Sequence, residues 1–213
     1  MDILPEIGHA AITAGERTII FRPTLARISQ AGSPAGIVDL AAVLLSPPMQ
    51  VEHEWRQAQV YREHWRAQLG AALTLLYCCA DDPDPLPEIL GTLVPPRRYR
   101  RGLASPQAVI LLGQQMARHG VVGVLPPEES PAPAEAREAY APEFHAVEMA
   151  ALAQAHLGVS MDEAWGMTMT ALARGLAAKF PRPKEGKGAP MTLAESDRAL
   201  AWLEKVNEAR ANG

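Results

Sequence analysis

The sequence predicts a mainly α protein: a helical chain with a small N-terminal β-hairpin. Three observations lead there. Alanine is plentiful while aromatic residues make up only 5% of the 213 positions, a balance that favours helices over a sheet sandwich. Apolar residues recur at helical spacing in segment after segment. Capping pairs such as Ser160 with Glu163, and Thr192 with Glu195, stand where such segments begin. At 48% apolar and 21% charged residues the composition is that of a globular chain long enough to bury a core.

The elements follow in order. Glu6–Arg22 reads as the hairpin, with Ile7–Ile12 and Thr18–Phe21 as arms and Ala14-Gly15-Glu16 as the turn. Pro23 is placed to start a short helix over Thr24–Gln30. Ser33 caps the next helix and Pro34 opens it, with Ile37, Leu40, Ala41 and Leu44 as its buried stripe. After Pro47-Pro48, Val51–Ala80 is the longest helical stretch. Its first half mixes Trp55, Val60, Tyr61 and Trp65 with charged residues, whereas Leu69–Cys79 is almost wholly apolar. Such a helix is expected to enter the core at its C-terminal end, with Gly70 as a candidate kink. Asp81–Pro96 reads as a proline-broken connection, and Arg97–Arg101 as a solvated loop or edge strand. Ser105-Pro106 opens a helix with Val109, Ile110, Leu112 and Met116 inward, ending at His119-Gly120.

Leu125–Pro133 is proline-rich and acidic, a semi-rigid linker. Three short helices are expected over Pro142–Pro183. The first places Phe144, Val147, Ala151 and Ala155 on one face and stops at Gly158. Ser160/Glu163 forms a capping box for the second. Thr168 caps the third, with Met167 and Leu172 as a hydrophobic staple and Met169, Leu172, Ala173, Leu176 and Phe180 as its stripe. Trp165 and Met167 lie at the joint between the second and third. A flexible joint at Lys184–Gly188 and a final helix from Thr192 through Ala209 complete the chain. The expected organisation is a hairpin plus helical domain over 1–123, a Pro-rich linker over 124–141, a three-helix segment over 142–183, and a joint with terminal helix over 184–213.

Several function classes are disfavoured. A net charge of −4 gives no overall attraction to nucleic acid or to an anionic membrane. Arg97, Arg98, Arg100 and Arg101 around Tyr99 form a local phosphate-binding pattern, yet Asp81, Asp82, Asp84 and Glu88 stand close in sequence to neutralise it, so nucleic acid is not the expected partner. Adjacent Cys78 and Cys79 are poorly placed to bridge each other, which fits a reducing cytoplasm. The Met1-Asp2 start shows no signal-peptide pattern, and no apolar run reaches the roughly 18 residues of a membrane span. His53 and His64 are eleven apart, whereas a helical metal pair needs i, i+4 spacing. Neither a nucleophile elbow nor a phosphate loop nor a C-x-x-C pair is present. An enzyme is therefore not expected, and no cofactor or metal is.

An ordered set of short pieces does carry a resemblance. They are Glu6-Ile7-Gly8 with Arg17 and Phe21-Arg22-Pro23; Leu73–Cys79 followed by Asp81-Asp82; Tyr99–Leu103; His119–Gly123; Glu143–Glu148; and Met167–Thr170 with Ala177–Pro181. In that order, over roughly Ile3–Pro183, the chain resembles a family of phage- and prophage-encoded proteins of unassigned domain function found among tail genes and described as tail-assembly-chaperone-like. Met161–Thr168 is also similar to a short acidic–aromatic–Met–Thr segment near the end of tail assembly chaperones. The resemblance implies a non-catalytic protein of the host bacterial cytoplasm, absent from the mature virion. It would bind the tape-measure protein, the tail tube subunits or both, with homo-oligomerisation left open. The expected contact residues are Phe144, Val147, Trp165, Met167, Met169, Leu172, Leu176 and Phe180, with Trp55 and Trp65 of the long helix. A structural tail component retained in the virion, and an enzyme or regulator acting on the host, are the alternatives.

Overall fold

An apolar helix segment with almost no polar side must be surrounded on most of its circumference, and the fold is built around one. In the computed structural model, which describes residues 3–15, 17–48, 50, 54–94, 98–125 and 142–181, the elements are, in chain order, β1 (Ala10–Ala14), β2 (Arg17–Phe21), α1 (Leu25–Ile28), α2 (Pro34–Leu45), α3 (Glu54–Cys79), α4 (Leu86–Ile89), β3 (Gly91–Val94), β4 (Arg98–Arg101), α5 (Pro106–Ala117), α6 (Ala146–Leu157), α7 (Met161–Gly166) and α8 (Met169–Lys179). The fold is mainly helical with a small N-terminal antiparallel hairpin.

The apolar half of α3 is the centre. Leu69, Leu73, Leu75, Leu76 and Cys79 are buried, and α5, α2 and α1 pack on it. Full burial of each leucine stabilises by about 1.5–3 kcal/mol. The helix runs unbroken through Gly70. Its contact with α5 is closest where Ala72 meets Gly113: a Cβ built on Gly113 would lie 2.5 Å from the Ala72 Cβ. Glycine is thus the residue that lets the two backbones approach. At the same joint Gln68 of α3 and Gln114 of α5 both donate to the Leu44 carbonyl at the end of α2, at 3.2 and 2.9 Å. That carbonyl would otherwise be an unpaired helix-end acceptor.

The hairpin closes the C-terminal end of α3. Ala14 pairs with Arg17 and Ala10 with Phe21, so Ala14, expected in the turn, belongs to the strand. Ile7, expected to open the first arm, instead closes a 3-10 turn over Pro5–Ile7 that ends at Gly8. The Arg22 N–H donates to the Cys79 carbonyl at 2.8 Å, and the Asp81 N–H to the Ile20 carbonyl at 2.9 Å. The Asp81 carboxylate accepts from Arg22 at 2.5 Å and from Arg27 at 2.7 Å. Arg27 also donates to the Cys79 carbonyl at 2.7 Å, so a cation sits at the negative end of the α3 dipole.

Three local expectations change. The α1 cap is Thr24, whose hydroxyl accepts from the Arg27 N–H, rather than Pro23; the helix is one turn long and passes into a 3-10 turn at Ser29–Ala31. The Asp81–Pro96 stretch is not only a connection. It holds α4 and β3, and β3 pairs with β4 as a second antiparallel ribbon. The arginine segment is therefore an edge strand. Finally, α5 does not stop at His119-Gly120 but continues as a π-helical turn over Arg118–Val122.

Cys78 is half-buried and Cys79 buried; burial raises both thiols above their usual pKa. No single helix among the described residues is long and apolar enough to cross a membrane. The final helix expected over 192–209, and the linker expected over 124–141 apart from its first two residues, lie outside the described residues.

The α3–α5 contact gives a direct test. Gly113→Ala inserts a methyl where Ala72 leaves no room, and unfolding in urea should show a loss of about 1–3 kcal/mol. Gly15→Ala, which meets nothing within 4 Å, bears only the cost of its positive φ.

Candidate functional site

Apart from Trp55 and Trp65 of α3, the residues singled out as contacts fall in or directly beside α6, α7 and α8, which dock on the N-terminal elements through backbone as well as side chains. The Leu25 N–H donates to the Met167 carbonyl at 2.8 Å, Thr24 and Thr168 form an isolated antiparallel bridge, and the Phe144 N–H donates to the Pro34 carbonyl at 3.0 Å. The first turn of α1 and the start of α2 are thus fastened to the C-terminal helices before any side chain is counted.

Local sequence explains each helix. Ser160 accepts from the Glu163 N–H at 3.2 Å, and Glu163 accepts from the Ser160 N–H and hydroxyl, each at 2.8 Å. Those two donors hold the Glu163 carboxyl below its usual pKa. Thr168 accepts from the Ala171 N–H at 3.1 Å, and Leu172 beneath it is buried. Lys179 at the end of α8 donates to the His156 carbonyl at the end of α6, and the Phe180 ring meets the His156 ring edge-on at 5.5 Å.

The face of α6 differs from the expected one. Ala146, Ala150 and Ala153 are buried, while Val147, Ala151 and Ala155 point outward, Val147 at 64% exposure. A helix this rich in alanine is apolar around most of its circumference, so periodicity alone does not single out one inward face. Ala146, Ala150 and Ala153 turn inward, where their small side chains let α6 sit close to its neighbours.

The other predicted contact residues divide. Phe144 and Leu172 are core residues. Trp165, Met167, Met169 and Leu176 are half-buried and pack against that core, as does Trp65 of α3. Phe180 is 55% exposed. Trp55 falls within α3, but its side chain lies outside the described residues. The apolar stripe of α8 is thus spent largely on holding the molecule together. What α6 and the end of α8 leave at the surface is the strip Val147, Ala151 and Ala155, and separately Phe180.

Sequence reasoning missed a polar joint beneath these helices. His119, in the π turn, is buried, and its Nδ1 lies 2.9 Å from the Thr170 hydroxyl of α8. That hydroxyl also accepts from the Val124 N–H at 2.9 Å, and Arg174 donates to the Val124 carbonyl at 3.4 Å. Gly8 backs onto the imidazole: it has φ 95°, and a Cβ there would sit 2.1 Å from the His119 Cβ. Three chain regions therefore meet at one histidine. Burial, and then the positive Arg174 and Arg118, lower its pKa. No spacing rule links residues 8, 119 and 170. The only signal was that each belongs to one of the ordered pieces noted in the sequence.

Elsewhere, Gly70, Leu73, Thr74 and Tyr77 of α3 and Thr92 and Leu93 of β3 line a shallow, open groove of about 340 Å³. Among the described residues no group of three or more His, Cys, Asp or Glu side chains is placed to share a metal ion.

Compared with known proteins, the chain matches, over residues 21–198, the profile of a family of unknown function (DUF6246). No curated protein and no solved structure matches it.

The His119 joint predicts a pH dependence. Its folded pKa is below the unfolded value of about 6.5, so the unfolded chain takes up the proton first as pH falls. The contribution of neutral His119 is whole above that value and is lost progressively below it. Thermal melts at pH 7.5 and 5.5 should show a drop in midpoint that is smaller in His119→Gln.

Proposed function

The chain belongs to that family of unknown function, and from this premise we propose that it works by non-covalent binding, as a tail-assembly-chaperone-like protein of the host bacterial cytoplasm. Its role is to cover apolar helical segments of a tape-measure protein until tail tube subunits replace it. The observation that carries this reading is the outward strip of α6, where Val147, Ala151 and Ala155 follow one another at helical spacing with no part of the described chain over them. Valine flanked by alanines offers a shallow seam against which a second helix can lie with little side-chain entropy to lose. The resemblance to tail-gene proteins supports the choice of partner.

The fold supports the same reading in a second way. α6 is anchored at its two ends, by the Phe144 N–H to the Pro34 carbonyl just before it and by Lys179 to the His156 carbonyl in its last turn, so the strip is presented on a fixed support and binding need not order it first. Phe180, packed edge-on against His156 and under Lys179, offers a separate apolar contact.

Co-expression with the tape-measure protein encoded beside it should raise that protein's soluble fraction and retain it in a pull-down. Val147→Glu with Ala151→Glu should reduce retention by about tenfold or more, because a carboxylate pressed into an apolar seam is left unpaired. The melting temperature should stay within a few degrees, since both positions face solvent. Purified virions should lack the chain by mass spectrometry; its presence at stoichiometric level would instead favour a structural tail component.

A further inference from the structure

The β3–β4 ribbon carries a surface that the reading above does not use. Strand register sets Val94 opposite Arg98 and Thr92 opposite Arg100. Because side chains alternate between faces, these four share one face of the ribbon. Val94 is 45% exposed and both arginines are exposed. On the other face Arg101 is exposed beside Tyr99. None of Arg98, Arg100 and Arg101 forms an ion pair with a described residue. Glu88, the nearest acid in sequence, sits 3.9 Å from Arg17, and Asp81 is taken by Arg22 and Arg27. The local neutralisation expected from the sequence is therefore not made by those two acids. Thr92 also lines the groove against α3, and Leu93, 49% exposed, reaches over Gly70 there, its Cδ1 3.8 Å from where a Gly70 Cβ would stand.

We propose that this ribbon and its groove form a docking surface for an acidic, aliphatic-bearing segment of a partner protein. Carboxylates of that segment pair with Arg98 and Arg100, and one of its aliphatic side chains passes the edge of β3 at Thr92, which shares their face, into the groove that Leu93 and the Leu73–Tyr77 turn of α3 also line. Charge complementarity selects the occupant: guanidinium groups with no ion pair to a described residue, next to exposed Val94 on the same face, attract an anion that also brings apolar surface. Single-stranded nucleic acid fits less well. Tyr99 is half-buried against the core, with its hydroxyl donating to the Leu90 carbonyl at 2.5 Å, so among the described residues the ribbon presents no free aromatic platform, and the net charge of −4 repels a long polyanion.

The test uses the full chain and fluorescence anisotropy with a short fluorescein-labelled peptide of alternating glutamate and valine. Its lysine–valine counterpart and an oligothymidylate of similar length serve as competitors. Saturable binding of the acidic peptide is expected, weakened by added salt and reduced about tenfold by Arg98→Glu with Arg100→Glu. Leu93→Ser should weaken it without changing the salt dependence, and Val147→Glu should leave it unchanged, which separates this surface from the α6 strip. Thermal melts confirm that each variant folds. Absence of saturable binding, equal binding of the lysine peptide, indifference to the charge reversals, or tighter binding of the oligothymidylate would overturn the proposal.

Discussion

The C-terminal half of α3 must be covered around most of its circumference, and most of the molecule is the answer to that demand. Leu69–Cys79 turns only the narrow side of Thr74, with Gly70 and Tyr77 beside it, toward water, so burying it on one side only would leave several leucines exposed. Helices α2 and α5 close two sides, α1 lies on a third, and the β1–β2 hairpin seals the end. Sealing the end also solves a polar problem. The terminal carbonyl of Cys79 would be an unpaired acceptor in an apolar setting, and it receives both the Arg22 N–H and the Arg27 guanidinium. Asp81 then holds both arginines, so one carboxylate ties hairpin, α1 and α3 together. Being partly exposed, that ion pair contributes orientation more than energy.

The C-terminal helices are attached by a different logic. Their apolar stripes are short and rich in alanine, and alanine buries little area. Backbone bonds from Leu25 to Met167 and from Phe144 to Pro34, and the His119–Thr170–Val124 joint, position them with directional contacts instead. Satisfied polar joints of this kind specify one arrangement, because any sliding of α8 would leave a buried imidazole or hydroxyl without a partner. A support fixed in this way leaves the outer side of α6 free to serve as a surface, on which the proposed binding role relies.

Much of this was legible in the residues where one local rule decides. Ser33, Ser105, Ser160 and Thr168 all cap as their sequence context indicates, because a cap needs only a side-chain oxygen within three residues of a free N–H. The burial of Leu69–Cys79 was equally plain, since a continuous apolar run has only one place to go. Two readings failed for definable reasons. β3 was hidden, leaving the edge strand read at Arg97–Arg101 without its partner, because a strand of four residues lying between prolines gives too few alternations to register. The inward face of α6 was misassigned because Val147-Ala151-Ala155 and Ala146-Ala150-Ala153 are both helical stripes of small apolar residues, and only the neighbours decide between them.

By itself, then, the sequence determined the helical class, the positions of the caps and the apolar segment at the centre, all of which follow from interactions within a few residues of chain. Only the tertiary structure decided which faces are spent on the interior and which remain outside. It brought Gly8, His119 and Thr170 into one joint, and it showed that most of the α8 stripe is already engaged while no other described residue covers the α6 strip or the arginine ribbon. The joint depends on contacts between residues 50 or more positions apart, where spacing along the chain carries no information and the fit of neighbouring surfaces carries all of it.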